Sequence, residues 1–68
     1  MTDIAPVQVQ AARTFAVGTR VEVHHRLVGR WSRGFQVAAV IDERHLIRRL
    51  SDGHILPRTF AFDEIRPR

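Results

Sequence analysis

The chemistry available to this chain is almost wholly that of arginine. Its 68 residues carry 11 basic side chains against 7 acidic ones, and every basic one is arginine. All-arginine usage fits a high-GC coding genome, and it also furnishes a surface of guanidinium forks that bind phosphate or carboxylate through paired hydrogen bonds. In the stretch "LVGRWSRGF", Leu27 to Phe35, Arg30 and Arg33 flank the one tryptophan, Trp31. That combination suits nucleic acid, because arginines neutralise phosphates while an aromatic face stacks a base, at about 1–3 kcal/mol per stacked base. A methylated cation would need a full aromatic wall and preferably an acidic neighbour, and two adjacent guanidinium groups repel it.

The charge is also gathered rather than spread. Arg20 to Phe35 holds four arginines against Glu22 alone, and Arg44 to Arg58 holds four against Asp52 alone. Charge concentrated in two stretches steers anions better than the same charge dispersed. The candidate nucleic-acid contacts are Arg26, Arg30, Trp31, Arg33 and the outward member of the Arg48–Arg49 pair. Only one of that pair faces out on a strand, so the other should be paired, with Glu22 or Asp52.

Other reactive types do not assemble into a catalytic or metal site. His24 and His25 are adjacent and point to opposite faces of a strand, while His45 and His54 stand in no ligand spacing. The acidic pairs Asp42-Glu43 and Asp63-Glu64 are sequence neighbours, whereas a general acid and base come from separate elements flanking a substrate. No nucleophile–base set and no phosphate loop is suggested, so the expectation is a non-enzymatic binding module with no cofactor and no metal. Asp63-Glu64 is expected to favour the start of a short helical turn or to pair with Arg66.

The elements that position these side chains follow from pattern and turn chemistry. Residues 1–14 show no sustained period and are expected to form an N-terminal tail, with "VQVQ" at Val7 to Gln10 as an alternative short strand. "RVEVHH" alternates as a half-buried strand should, with Val21 and Val23 inward and Arg20, Glu22 and His24 outward. Gly29 and Gly34 are expected to bracket a loop holding Trp31, and "FQVAAVID" to form a second strand with Phe35, Val37 and Ala39 on one face. "VAAVIDERHLIRRL", Val37 to Leu50, fits a helix equally well on propensity. Asp52-Gly53 decides against it, since this strong hairpin signal requires a strand on each side. "HIL" then pairs back until Pro57, which lacks an N–H, ends the ladder. "FAFDEI" is a short helical turn and "IRPR" a last edge strand. Several short strands without cysteine predict a small closed barrel over 15–68, closure being the way a chain this small hides its strand edges.

The order of landmarks "GTRVEV", "GRWSRGFQV", "LIRRLSDGHILP" and "DEIRP" resembles the Tudor and agenet domains of the Src-homology-3-like small barrels. The resemblance covers about Phe15 to Pro67 and implies a five-stranded antiparallel barrel with a short helical turn before the last strand. Such domains often hold a methylated lysine or arginine in an aromatic cage. This chain has no tyrosine, and His45 stands where a cage tyrosine would be common. Trp31 either caps an open end of the barrel, over Phe35 or Val23, or offers a flat face to a ligand, and the two are compatible. The preferred partner is nucleic acid, DNA first. The runner-up is a protein adaptor taking an acidic, extended or methylated peptide at a barrel edge or at the Trp31 groove. The absence of a long apolar run or a signal-peptide pattern makes a cytoplasmic protein, without a membrane partner, the expectation, as a monomer or weak homodimer.

Overall fold

Alternation of small β-branched residues with polar ones does produce strands. The computed structural model describes residues 13–68, so the Val7–Gln10 segment and most of the expected tail lie outside the described residues. The strands are β1 (Arg20–His25), β2 (Arg30–Ile41), β3 (Arg44–Arg49), β4 (Ile55–Phe60) and β5 (Ile65–Pro67), with a 3-10 turn at Phe62–Glu64. They form one antiparallel sheet in the order β4-β3-β2-β1-β5. The all-β, five-stranded expectation and the helical turn before the last strand are met. The sheet is not closed into a barrel: β4 and β5 occupy opposite edges with no ladder between them. Among the described residues no helix is long and apolar enough to cross a membrane.

The helix considered across Val37 to Leu50 gives way to a hairpin whose turn is Asp42-Glu43. Ile41 pairs directly with Arg44, and the two residues between them have φ of 49° and 65°. Two successive left-handed residues are what a two-residue hairpin turn needs to match strand twist. Neither is glycine, so the turn forms at a conformational cost that Asn-Gly would avoid. At Asp52-Gly53 the sequence matches the geometry, with Gly53 at φ 73°.

Three irregularities re-aim the side chains. Between the pairs Val21↔Phe35 and Val23↔Ser32, Arg33 and Gly34 oppose Glu22 alone. This corrects the expected Trp31 loop. The turn is only Arg26 to Gly29, closed by the Val28 and Gly29 N–H groups donating to the His25 carbonyl, and β2 already starts at Arg30. Gly34 is a bulge residue inside β2, and Trp31 lies on the strand, paired with His24. A second bulge at Ala38 turns Ala39 to pair with Leu46, away from the face of Phe35 and Val37. In β4, Leu56, Pro57 and Arg58 oppose Ile47 alone. Pro57 therefore does not end the strand; its missing N–H falls in this bulge, and pairing resumes at Thr59 and Phe60.

The core comprises Val21, Val23, Val37, Ile47, Phe60 and Ile65, with Phe15, Phe35 and Leu56 packed against it. His45 is wholly buried among them. Its Nε2 accepts from the Phe15 N–H at 3.0 Å, and its Nδ1 lies 2.9 Å from the Phe60 carbonyl. A backbone N–H only donates, so the ring proton sits on Nδ1, and one imidazole satisfies two buried backbone groups. His45 thus pins the segment before β1 to β3 and β4 and is not exposed to any ligand.

The two turns generate opposite expectations. Glu43→Gly should stabilise the protein by about 1 kcal/mol, because glycine takes the left-handed conformation freely. Gly53→Val should destabilise it by more than about 1–2 kcal/mol, since a β-branched residue meets that conformation badly. Urea midpoints at constant slope measure both, and an unchanged midpoint in the Gly53 variant would contradict the turn's role.

Candidate nucleic-acid interface

Strand alternation and register decide which residues share the surface opposite the core. Val21 and Val23 face inward, so Arg20, Glu22 and His24 face outward. Directly paired residues share a face, which adds Gln36 opposite Arg20, Arg48 opposite Gln36, Trp31 opposite His24, and Arg66 opposite Glu22. Arg33 joins them, its Nε lying 3.9 Å from Glu22 Oε2. The outer face thus carries Arg20, Arg33, Arg48 and Arg66 around a tryptophan. It spans roughly 13 Å along β1 and about 14 Å across four strands.

Trp31 is half-buried on this face. The Arg66 guanidinium lies over its ring, 4.2 Å from carbon to centroid, and the His24 ring stands 4.9 Å away at 46°. These partners lie on the side away from Val23 and Phe35, so Trp31 is not a lid over the core. Arg66 is fixed in turn by Glu22, to which its Nε donates at 2.7 Å. Among the described residues, Glu22 is the only carboxylate the register puts here. Among the described residues, Arg20, Arg30 and Arg48 have no carboxylate within 4.0 Å. Arg30 is exposed at the head of β2 and shares a shallow depression with His25, Val28, Trp31 and Ser32.

The other two expected contacts lie elsewhere. Arg26, in the β1–β2 turn, donates to Glu64 Oε2 at 3.0 Å. Arg49 forms a two-pronged pair with Asp52, Nε to Oδ1 at 3.1 Å and Nη2 to Oδ2 at 2.9 Å. It is the paired member of the Arg48–Arg49 couple, with Asp52 as partner, and Arg48 faces out. Arg20 and Arg66 were not among the sequence candidates. Arg66 was expected to serve Asp63-Glu64, but β5 runs beside β1 and sets it against Glu22 instead.

Glu64 is an organising carboxylate rather than a site residue. The Ala61 N–H donates to its Oε1 at 2.8 Å, Arg26 and Arg58 reach its Oε2, and Arg44 approaches Oε1 at 3.6 Å. The Ala61 N–H, then Arg58 and Arg26, hold this carboxyl below the usual glutamate range against the opposing effect of burial. Arg49 and the His54 N–H hold Asp52 down to about 2.

Both carboxyls are more acidic folded than unfolded, so their stabilisation is complete above the unfolded values of about 4 and is lost as pH falls below that. The Asp52 part is lost progressively as pH falls from about 4 to about 2. Glu64→Gln should therefore lower stability at neutral pH by about 2 kcal/mol and flatten the acid limb of the stability curve. Urea unfolding from pH 7 to pH 2 checks this, and an acid limb identical to the parent's would remove Glu64 from the account.

Compared with protein-family models and with curated proteins, the sequence matches none, so the functional reading stands on this geometry.

Proposed function

We propose that the protein is a non-catalytic, cytoplasmic nucleic-acid-binding module that grips DNA on the outer face of β1, β2, β3 and β5. One observation carries the reading: a tryptophan stacked by Arg66 sits in a field of four arginines that, among the described residues, holds a single carboxylate. Arg20, Arg33, Arg48 and Arg66 take phosphates. The indole–guanidinium stack offers a flat polar surface to a base, since bases stack on guanidinium planes as well as on aromatic rings. An unpaired base reaches such a stack and a base within a duplex does not, so single strands bind better than duplex. Arg30 extends the same field past the head of β2.

The fold we infer is a Tudor-like small barrel of the Src-homology-3-like group. Its support is the resemblance in landmark order, the five antiparallel strands with a 3-10 turn before the last, and a core shared by Phe60 of β4 and Ile65 of β5. The methylated-cation ligand common among such domains is not part of the proposal. His45 is buried, and the exposed indole is already covered by a cation.

Titration of an oligo-dT strand, followed by Trp31 fluorescence, tests the function. Four phosphate contacts give a salt slope of about −3 on a log–log plot for a single strand. Read instead by anisotropy of dye-labelled oligo-dT, because the variant lacks the fluorescent indole, Trp31→Ala should weaken binding roughly 5- to 150-fold. Arg48→Ala should weaken it less and reduce the slope by about 0.7. No response to single strand or duplex at low salt would sink the proposal.

A further inference from the structure

The opposite side of the sheet holds a second surface of different chemistry. The β1–β2 turn, β2, the end of β3 and β4 enclose a groove of about 400 Å³. Val23, Phe35, Leu56, Pro57 and Phe60 line it, and Leu27, fully exposed, stands at its edge. Its mouth carries Arg26, Arg49 and Arg58. These guanidinium groups are held in place: Arg26 and Arg58 on Glu64 Oε2, Arg58 also over the Phe60 ring at 4.0 Å, and Arg49 on Asp52. Three cations share two carboxylates there, and each guanidinium has more donors than its partner fills.

We propose that this groove docks an extended acidic segment of a partner protein, with an apolar side chain in the groove and carboxylates on both sides of it. The apolar lining calls for an apolar anchor, and the surplus of fixed guanidinium groups calls for anions. The cations are anchored on two separate carboxylates, which favours a chain bearing several acidic groups over an amphiphile with one head. A nucleobase finds little here, because the Phe60 ring is buried beneath Arg58 and Trp31 lies on the other face. The groove meets the outer face at His24, which borders it and stands 4.9 Å from the Trp31 ring, while its apolar lining and its guanidinium groups are distinct from those of the DNA-binding reading.

The test uses the full chain and a dye-labelled probe, Glu-Glu-Gly-Phe-Gly-Glu-Glu, followed by anisotropy and by amide shift mapping. Binding should be salt-sensitive and shift Val23, Leu56 and Phe60. Replacing the probe's Phe by Ala should weaken binding about tenfold or more, and replacing its Glu residues by Lys should abolish it. Leu56→Glu should abolish binding, and Leu27→Glu, at a fully exposed position that leaves the fold intact, should weaken it several-fold. Oligo-dT should not displace the probe. Equal binding of the lysine peptide, an absence of shifts at the groove, or displacement by oligo-dT would overturn the proposal. Dodecanoate displacing the probe at equal concentration would reassign the groove to a single-headed amphiphile and overturn it too.

Discussion

Strands β4 and β5 share no backbone ladder, yet Phe60 and Ile65 lie in one core. What joins these edges, besides apolar contact, is the Glu64 carboxylate. It draws in Arg26 from the β1–β2 turn, Arg44 from β3 and Arg58 from β4, while its own 3-10 turn leads into β5. A chain of this size buries a modest core, so a hub joining four segments matters more here than it would in a larger domain. Glu64 is nearly buried whereas its arginines are largely exposed. The cost of dehydrating the carboxylate is therefore offset by the Ala61 N–H and by cations that keep most of their own hydration.

That hub sorts the arginines into two groups. Arg26, Arg49 and Arg58, at the groove, are tied to Glu64 or Asp52, and Arg44 reaches Glu64 from outside the groove. Arg20 and Arg48 have no such partner among the described residues, and Arg33 and Arg66 share only Glu22. The acidic side chains thus neutralise one side of the sheet more fully than the other. A modest overall charge of +4 conceals that asymmetry. The proposed nucleic-acid face is the one where neutralisation is least complete, and the proposed peptide groove is the one where apolar surface is left open.

Strand positions were legible wherever the local signal and the long-range requirement agreed. "RVEVHH" has a clean period of two, and Asp52-Gly53 suits a hairpin turn, so β1 and the β3–β4 hairpin follow from pattern alone. Asp42-Glu43 carries no such mark. Its left-handed pair is imposed by the pairing of β2 with β3, a tertiary demand that overrides residue preference. The bulges were equally hidden, because one extra residue in a strand changes the facing of every later side chain without altering composition. In sequence alone, therefore, Trp31 reads as a loop residue, Ala39 as sharing the face of Phe35 and Val37, and Pro57 as a strand end. The arginine–tryptophan association was visible in sequence as Arg30 and Arg33 beside Trp31, but the cation on the ring is Arg66, 35 positions away and brought there by β5 pairing with β1.

The same long-range geometry would couple the proposed binding to folding on the groove side but hardly on the outer face. An anion competing for Arg26 or Arg58 draws on the contacts that hold the sheet ends together, because both guanidinium groups share Glu64 Oε2. A ligand there gains affinity only through donors that Glu64 leaves unfilled, and one that stripped the arginines away would loosen the fold it binds. On the outer face Arg20 and Arg48 hold no structural carboxylate, so a phosphate meets them without a competing demand. Arg33 and Arg66 share Glu22, and Arg66 must keep it while stacking on Trp31. Its planar fork allows both at once, with in-plane donors to the carboxylate and the flat face to the indole, which a lysine ammonium could not do.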